Sequence, residues 1–399
     1  MNIFIINSGS SSIKYQFFKM PDEQPVASGL VERIGLENSS ITHKTFPGGA
    51  EKVIKRTVHL SDHEEGLKEV GRLLTDPEIG VIKDPGEIDA VGHRVVHGGE
   101  SFAATTIVTR KVKEEIKKLF PLAPLHNPAN YLGIEVAEKI FSKAKQVAVF
   151  DTAFHQTLPE KAFRYAIPKS FYTDLHIRAY GFHGTSHKYV SETAMEHLNN
   201  RAAKLVTLHL GNGCSMTAVK NGTSVDTSMG FAPLNGLIMG TRSGDIDPSI
   251  IFHFIKLGYD PEEVNTLLNK KSGMLGLTGF SDMRDIDNAV QQGNKDGDLA
   301  LEMYAYRIKK YIGSYAAVLN GLDAIVFTGG VGENHVNTRQ RVCSEMDFLG
   351  VRLDEEKNNR RSTGVREINS DDSPVKILIV PTNEELEIAK QCYALLKKV

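Results

Sequence analysis

The sequence predicts an α/β fold built as two related halves. Three observations carry that expectation. An apolar strand, a small-residue turn and a second strand run from Asn2 to Lys14 and again from Lys204 to Met216, in step when Gly9 is laid on Gly211. Strand and helix patterns alternate through both halves. Turns rich in small residues at 8–12, 211–213 and 329–334 follow apolar strands, and backbone N–H groups in such turns converge on anions.

The elements follow in order. The first half opens with strands at about 2–7 and 13–19, then strand candidates near 27–32 and 52–58. From Asp62 to Leu74 the apolar Leu67, Val70, Leu73 and Leu74 share one face, which predicts a helix. A strand is expected over Ala90 to Val96. Pro128 in a first turn, with Asn127 as cap, predicts a helix through Phe141. Gln146 to Phe150 reads as a short buried strand ending in Asp151. In the second half, strands are expected at about 204–210 and 215–220. An amphipathic helix runs from about Asp298 to Leu319 and stops at Asn320-Gly321. A buried strand, Ala324 to Phe327, enters the glycine-rich turn, and Val375 to Val380 leads through Pro381 into a last helix. No low-complexity linker interrupts the chain, so the boundary near residue 150 reads as a hinge. The expected domains are 1–150 and 151–384, with the last helix, about 385–399, packing back on the first.

Composition narrows the function. The chain has 399 residues, enough for two cores. Hydrophobic and charged shares of 41% and 24% are those of a soluble globular protein, and a net charge of −2 without a basic run speaks against nucleic-acid or anionic-lipid binding. The apolar start Ile3 to Ile6 is too short for a secretion signal, and no stretch is long enough to span a membrane. Cys214, Cys343 and Cys392 form no C-x-x-C pattern, which points to a reducing, cytoplasmic compartment without structural disulfide or zinc.

Several side chains stand where chemistry is expected. The Ser8–Ser12 loop is either a hydroxyl-rich hairpin turn or a phosphate cradle, and its echo at Gly211-Asn212-Gly213 with nearby Lys14 favours the cradle. The turn 329–334 is neither G-x-x-x-x-G-K-[ST] nor G-x-G-x-x-G, so kinases of those two kinds are unsupported. Arg94 and Arg242 lie among glycines and apolar residues, where a planar guanidinium suits carboxylate or phosphoryl oxygens. The alternative for Arg242 is a buried ion pair with Asp245 or Asp247. His183 sits in a Gly-bounded turn before a helix that Thr185 or Ser186 could cap, a ready anion site. His126 and His187 read more as capping and packing residues. Asp151 ends a strand, where ligands gather in α/β sheets, and suits Mg²⁺ or water. Thr382 and Glu385 have capping-box spacing, which leaves Glu384 as the acid without a structural task.

Together these segments resemble the acetate kinase family. The resemblance rests on Asn7-Ser8-Gly9-Ser10-Ser11-Ser12-x-Lys14, on His93-Arg94-Val95-Val96-His97-Gly98-Gly99 and on Asp151-Thr152-Ala153-Phe154-His155-Gln156. It extends through Tyr180-Gly181-Phe182-His183-Gly184-Thr185-Ser186-His187, Gly240-Thr241-Arg242-Ser243-Gly244-Asp245-Ile246-Asp247-Pro248 and Pro381-Thr382-Asn383-Glu384-Glu385, and so covers essentially the whole chain. It implies the duplicated actin-like and Hsp70-like βββαβαβα fold of the acetate and sugar kinase superfamily, two domains about a central cleft. It implies reversible, Mg²⁺-dependent transfer of phosphate from ATP to acetate, with Mn²⁺ able to replace Mg²⁺ and propionate as a minor substrate.

Carried over residue by residue, the resemblance gives Asn7 and Glu384 to the metal. It gives Lys14, His209, Leu210, Gly211, Asn212, Gly213, Asp282, Met283, Arg284, Gly330, Val331, Gly332, Glu333 and Asn334 to ATP. Arg94 meets the acyl carboxylate, with Val96, Leu125, His126, Phe182 and Pro233 around the substrate. Asp151 is the family's acid, and His183 and Arg242 stabilise the transferring group. Met283 stands where members have Phe, and Gly329 where Ala is also familiar. Neither change removes a charge or a metal ligand. A homodimer is expected. Two alternatives stay open at this point: a propionate or butyrate kinase on the same scaffold, and an actin-like or chaperone-type nucleotide-gated ATPase, because the fold alone does not fix function.

Overall fold

The computed structural model describes residues 1–46 and 50–398. Its contacts divide the chain into two units, Met1–Ala153 with Asn383–Val399, and Phe154–Thr382.

Among the described residues, the first unit holds one eight-stranded sheet. Its strands are β1 (Asn2–Ser8), β2 (Ser12–Lys19), β3 (Pro25–Glu32), β4 (Ser39–Thr45), β5 (Lys52–Val58), β6 (Ala90–Val95), β7 (Thr106–Ile107) and β8 (Lys145–Phe150). They lie in the order β5-β4-β3-β2-β1-β6-β8-β7. β1 to β5 pair antiparallel, whereas β1, β6 and β8 run parallel. Alternation along β1 decides which helix each side chain meets. Phe4 and Ile6 join one core with Leu67, Val70, Leu73 and Leu74 of helix His63–Leu74 and with Val136 and Ala137 of helix Asn127–Ile140. Ile5 faces the other way, where a side chain on Gly92 would meet Ile5 Cδ1 and Cys392 Sγ, each at 2.8 Å. Gly92 thus lets the last helix, Glu384–Leu396, lie close on the sheet.

The second unit repeats the pattern. Its strands are β9 (Lys204–Leu210), β10 (Cys214–Lys220), β11 (Thr223–Thr227), β12 (Ala324–Thr328), β13 (Arg366–Glu367) and β14 (Lys376–Ile379), in the order β11-β10-β9-β12-β14-β13. β9 to β11 are antiparallel, and β9, β12 and β14 are parallel. The series β3-β2-β1-β6-β8 and β11-β10-β9-β12-β14 are therefore the same topology, and the duplication legible at Gly9 and Gly211 extends through five strands. Helix Gly184–His197 buries Val190 and Ala194 against Leu205, Val326 and Leu378. Helix Lys295–Leu319 buries Leu301, Tyr304, Ile308 and Ile312 and ends at Asn320, in the left-handed conformation, as its Asn-Gly stop predicts.

Three capping expectations fail, each because a long-range partner takes the side chain. Asn127 does not cap its helix. It is the first helical residue, and its amide accepts from His97 N at 3.0 Å and donates to His97 O at 3.0 Å. Helix Gly184–His197 has no side-chain cap, since Ser186 Oγ bonds His209 Nδ1 and Thr382 Oγ1, each at 2.8 Å. Thr382 and Glu385 form no capping box. Asn383 caps the last helix through Leu386 N at 3.0 Å, and Glu385 pairs with Lys14. β4 was absent from the sequence expectations. Its inward residues, Ser39, Ile41, His43 and Thr45, are mostly polar, and Tyr15 satisfies His43 Nδ1 at 2.6 Å.

Candidate active site

Each unit gathers its own set of the side chains expected to carry function. In the first, β6 delivers Arg94 and the end of β8 delivers Asp151, adjacent strand ends in a parallel pair. Arg94 Nε and Nη2 donate to the same oxygen, Asp151 Oδ2, at 2.9 and 2.5 Å, and Arg94 Nε lies 3.6 Å from Glu384 Oε2. One residue on, Glu385 Oε1 meets Lys14 Nζ at 2.7 Å. The cluster holds three carboxylates against two cations. Burial raises the pKa of Glu384, Asp151 and Glu385 add to that rise, and Arg94 and Lys14 oppose it. Burial disfavours the charge on Arg94, yet Asp151 and Glu384 more than offset it and hold its pKa above the ordinary value. The excess negative charge suits a divalent cation.

Among the described residues no three His, Cys, Asp or Glu side chains converge as a ready-made metal cage. Mg²⁺ needs none, since it keeps several waters and binds through one or two protein carboxylates plus substrate phosphates. Glu384 has the donor chemistry for that, and Asn7, on β1 opposite Lys14, offers an amide oxygen.

In the second unit, His183 sits at the helix start with φ 55°, a left-handed conformation that non-glycine residues seldom adopt. Ser215 Oγ bonds His183 Nδ1 at 2.9 Å and His187 Nε2 at 2.7 Å. His187 is fully buried, and burial first, then His155 and His209, push its pKa well below the ordinary value, so it serves as a neutral strut. The His183 ring stacks on His209 with centroids 4.3 Å apart. Arg242 donates to Pro233 O at 2.9 Å. It takes neither suggested acid: Asp245 accepts from Gly236 N at 2.7 Å and Tyr311 OH at 2.6 Å, and Asp247 accepts from Ser249 N at 2.8 Å. Burial lowers the Arg242 pKa from its usual value, which leaves it a cation at neutral pH, compensated by no carboxylate among the described residues.

Gly213 marks where these groups converge. A Cβ there would stand 3.5 Å from His183 Cε1 and 3.7 Å from Arg242 Nη1. The adjoining Gly211 and Asn212 open onto a pocket of about 900 Å³, whose wall also contains Asp282, Met283, Arg284, Gly330, Val331 and Asn334. That volume lies in the range of small-molecule sites, ~300–1,000 Å³. Asp282 caps helix Met283–Gln291 and chelates Arg284 at 3.0 and 2.6 Å, which lowers the Asp282 pKa to about 2. Glu333 turns away from the pocket: its Oε1 accepts from Gly329 N at 3.0 Å and Thr382 N at 3.1 Å and braces the glycine turn. His209, Leu210, Gly213 and Gly332 also stand outside that wall, and Lys14 belongs to the other unit. Sequence reasoning missed Asp287, His335, Asn337 and Arg361 in the wall. Asp287, on helix Met283–Gln291, and His335, at the cap before helix Val336–Cys343, meet at 2.6 Å, a pairing no local spacing announces.

The residues expected around the substrate divide between the units. Val96 is buried in the first, with its N–H given to Asn130 Oδ1, while Leu125 is 66% exposed beside His126 at the helix start. Phe182 is buried in the second, where Pro233 supplies the Arg242 acceptor.

Known proteins carry the same pattern over the whole chain. The acetokinase family model matches residues 2–390. The chain belongs to the acetokinase family. An acetate kinase of Flavobacterium johnsoniae is 60% identical over 398 residues, covering 100% of both chains. The crystal structure of Porphyromonas gingivalis acetate kinase matches with a TM-score of 0.92, 43% identity and 99% of each chain covered. A propionate kinase from Francisella tularensis matches with a TM-score of 0.90, 42% identity and 98% of each chain covered. Acetokinase membership makes this chain a phosphotransferase with acetate as acceptor, on a duplicated α/β fold.

Proposed function

We propose that the chain catalyses direct, reversible transfer of the ATP γ-phosphoryl group to acetate, yielding acetyl phosphate and ADP, with minor activity on propionate. An acetate oxygen forms the new bond to phosphorus as the bond to the bridging β-γ oxygen breaks, and that oxygen leaves on ADP. The observation that carries this reading is the Arg242 cation, without a carboxylate partner, beside His183 and the Gly213 turn at the edge of the 900 Å³ pocket. Charge on the transferring group needs such a partner.

Carboxyl groups titrate near ~4, so acetate arrives ionised and no base is needed. Asp151 then has a positioning role, consistent with its two bonds to Arg94. Arg94 receives the acetate carboxylate as a bidentate fork, and the apolar residues expected to contact its methyl group are Val96 and Leu125 of the first unit and Phe182 and Pro233 of the second. Gly211, Asn212, Asp282 to Arg284, Gly330, Val331 and Asn334 hold the nucleotide. Asn7 and Glu384 would hold Mg²⁺, which would supply positive charge against the phosphates when bound.

The exposed apolar side chains of 249–259, among them Phe252 and Leu257 at 64% and 61% exposure, support a homodimer in which a second copy covers them. Three buried free cysteines, and the lack of any helix long and apolar enough to cross a membrane among the described residues, fit a cytoplasmic location.

The reading is tested by trapping acetyl phosphate with hydroxylamine, with and without acetate and Mg²⁺. Product is expected only when both are present. ATP hydrolysis that ignores acetate would favour an ATPase instead. Propionate is expected to give the smaller kcat/KM, since one methylene discriminates by ~10–200-fold.

A further inference from the structure

We propose that a second cavity, of about 250 Å³ in the Phe154–Thr382 unit, binds a small multiply charged oxyanion of the phosphate class. Its wall carries Arg339, Arg360, Arg361 and Arg366 and a single acid, Glu333. Glu333 is committed to the backbone of Gly329 and Thr382 and neutralises none of them.

Arg339 is the centre of the argument. It is completely buried, an unusual fate for a charge without a paired anion. Its three nitrogens donate to Asn358 Oδ1 at 2.7 Å, Gly332 O at 2.9 Å and Asn358 O at 3.1 Å, all neutral acceptors. Arg366 donates to the carbonyls of Arg360 and Glu333. Neither Arg339, Arg361 nor Arg366 forms an ion pair among the described residues; only Arg360 does, with Glu356 outside the wall. Burial, and then the neighbouring Arg366, lower the Arg339 pKa to about 10, a sign of cationic charge left uncompensated. An anion in the cavity removes that strain, and guanidinium forks match phosphate oxygens in pairs. The cavity is smaller than the ~300–1,000 Å³ of ordinary ligand pockets, which excludes a nucleotide and admits phosphate or pyrophosphate.

The cavity is wired to the larger pocket. Asn334, Val336 and Arg361 line both. Arg339 holds Gly332 O in the turn whose Gly330 and Val331 face the larger pocket.

The test is calorimetric titration of pyrophosphate, and separately inorganic phosphate, into the full-length protein with and without saturating Mg²⁺-ADP. Binding of one equivalent that survives ADP is expected. Arg366→Gln should weaken it about tenfold or more, as for loss of a charge-assisted bond. If that variant does not fold, Arg360→Gln on the exposed rim removes one charge and should weaken binding in the same sense. Sulfate should compete. The proposal is overturned by absence of oxyanion binding, by binding that ADP abolishes, or by affinity unchanged in the folded variants.

Discussion

Arg94 closes two hydrogen bonds on one oxygen of Asp151, at 2.9 and 2.5 Å, with Asp151 only 1% exposed. The pair fixes the guanidinium plane before substrate arrives. Asp151→Asn should therefore lower kcat by roughly 10²-fold or more through lost orientation and charge, as misplacement by about 1 Å does. Steady-state kinetics at pH 7 checks this. A fall confined to the acetate KM would assign Asp151 to binding alone.

Arg242 leads to a second expectation. Its partner is a carbonyl, Pro233 O, so removing it breaks no ion pair and the fold should stand. Arg242→Ala should lower kcat by about 10³–10⁵, the usual worth of a cation on a transferring phosphoryl group. Near-normal turnover in a folded variant would remove Arg242 from the mechanism. Arg242→Lys should recover part of the rate, because the charge returns without the planar fork.

Asp226 on β11 gives a pH signature in stability. Burial raises its pKa from 3.8 to about 6, while the Thr227 N–H opposes the rise. The folded state therefore binds this proton more tightly than the unfolded state. The favourable contribution of the protonated acid is complete below the unfolded value and is lost as pH rises to about 6. Asp226→Asn should be more stable than the parent at pH 7, by at most ~3 kcal/mol, with the gap closing toward pH ~4. Melting curves across that range decide it. A gap independent of pH would show that the acid does not titrate there.

Asn127 carries the fourth expectation. Its buried amide satisfies both the N–H and the carbonyl of His97. Asn127→Ala strands two backbone groups and should cost about 2–6 kcal/mol, since each buried unsatisfied group costs ~1–3 kcal/mol. A lower denaturant midpoint with an unchanged slope is the expected reading. The helix itself should persist, because Asn127 does not cap it.

The sequence was most legible where local pattern and tertiary role agree. Ile3 to Ile6 form an unbroken apolar run because the sheet has two covered faces, and that run, with its echo in β9, marks the first strand of each sheet. Leu67, Val70, Leu73 and Leu74 all reach the core that their spacing predicts. The failures share one cause. Asn127, Ser186 and Thr382 have good capping spacing, yet partners between 23 and 196 residues away take their side chains. β4 hides because a tyrosine across the sheet makes a buried histidine acceptable on its inner face. The same holds at the candidate sites: Arg94 and Arg242 stood out by their glycine-rich surroundings, whereas Arg361 and the Asp287–His335 pair have no local mark.

The last helix belongs to the unit that begins the chain, and this sets an order of events at synthesis. Residues 154–382 are contiguous, so that unit has all of its chain once Thr382 has left the ribosome. The unit translated first must wait for Asn383 onward, because Ile388 and Cys392 are what close over Gly92. The half made second is thus the first able to finish, and a message truncated before codon 383 would leave the amino-terminal sheet with one apolar face bare to solvent, exposed to aggregation or capture by chaperones.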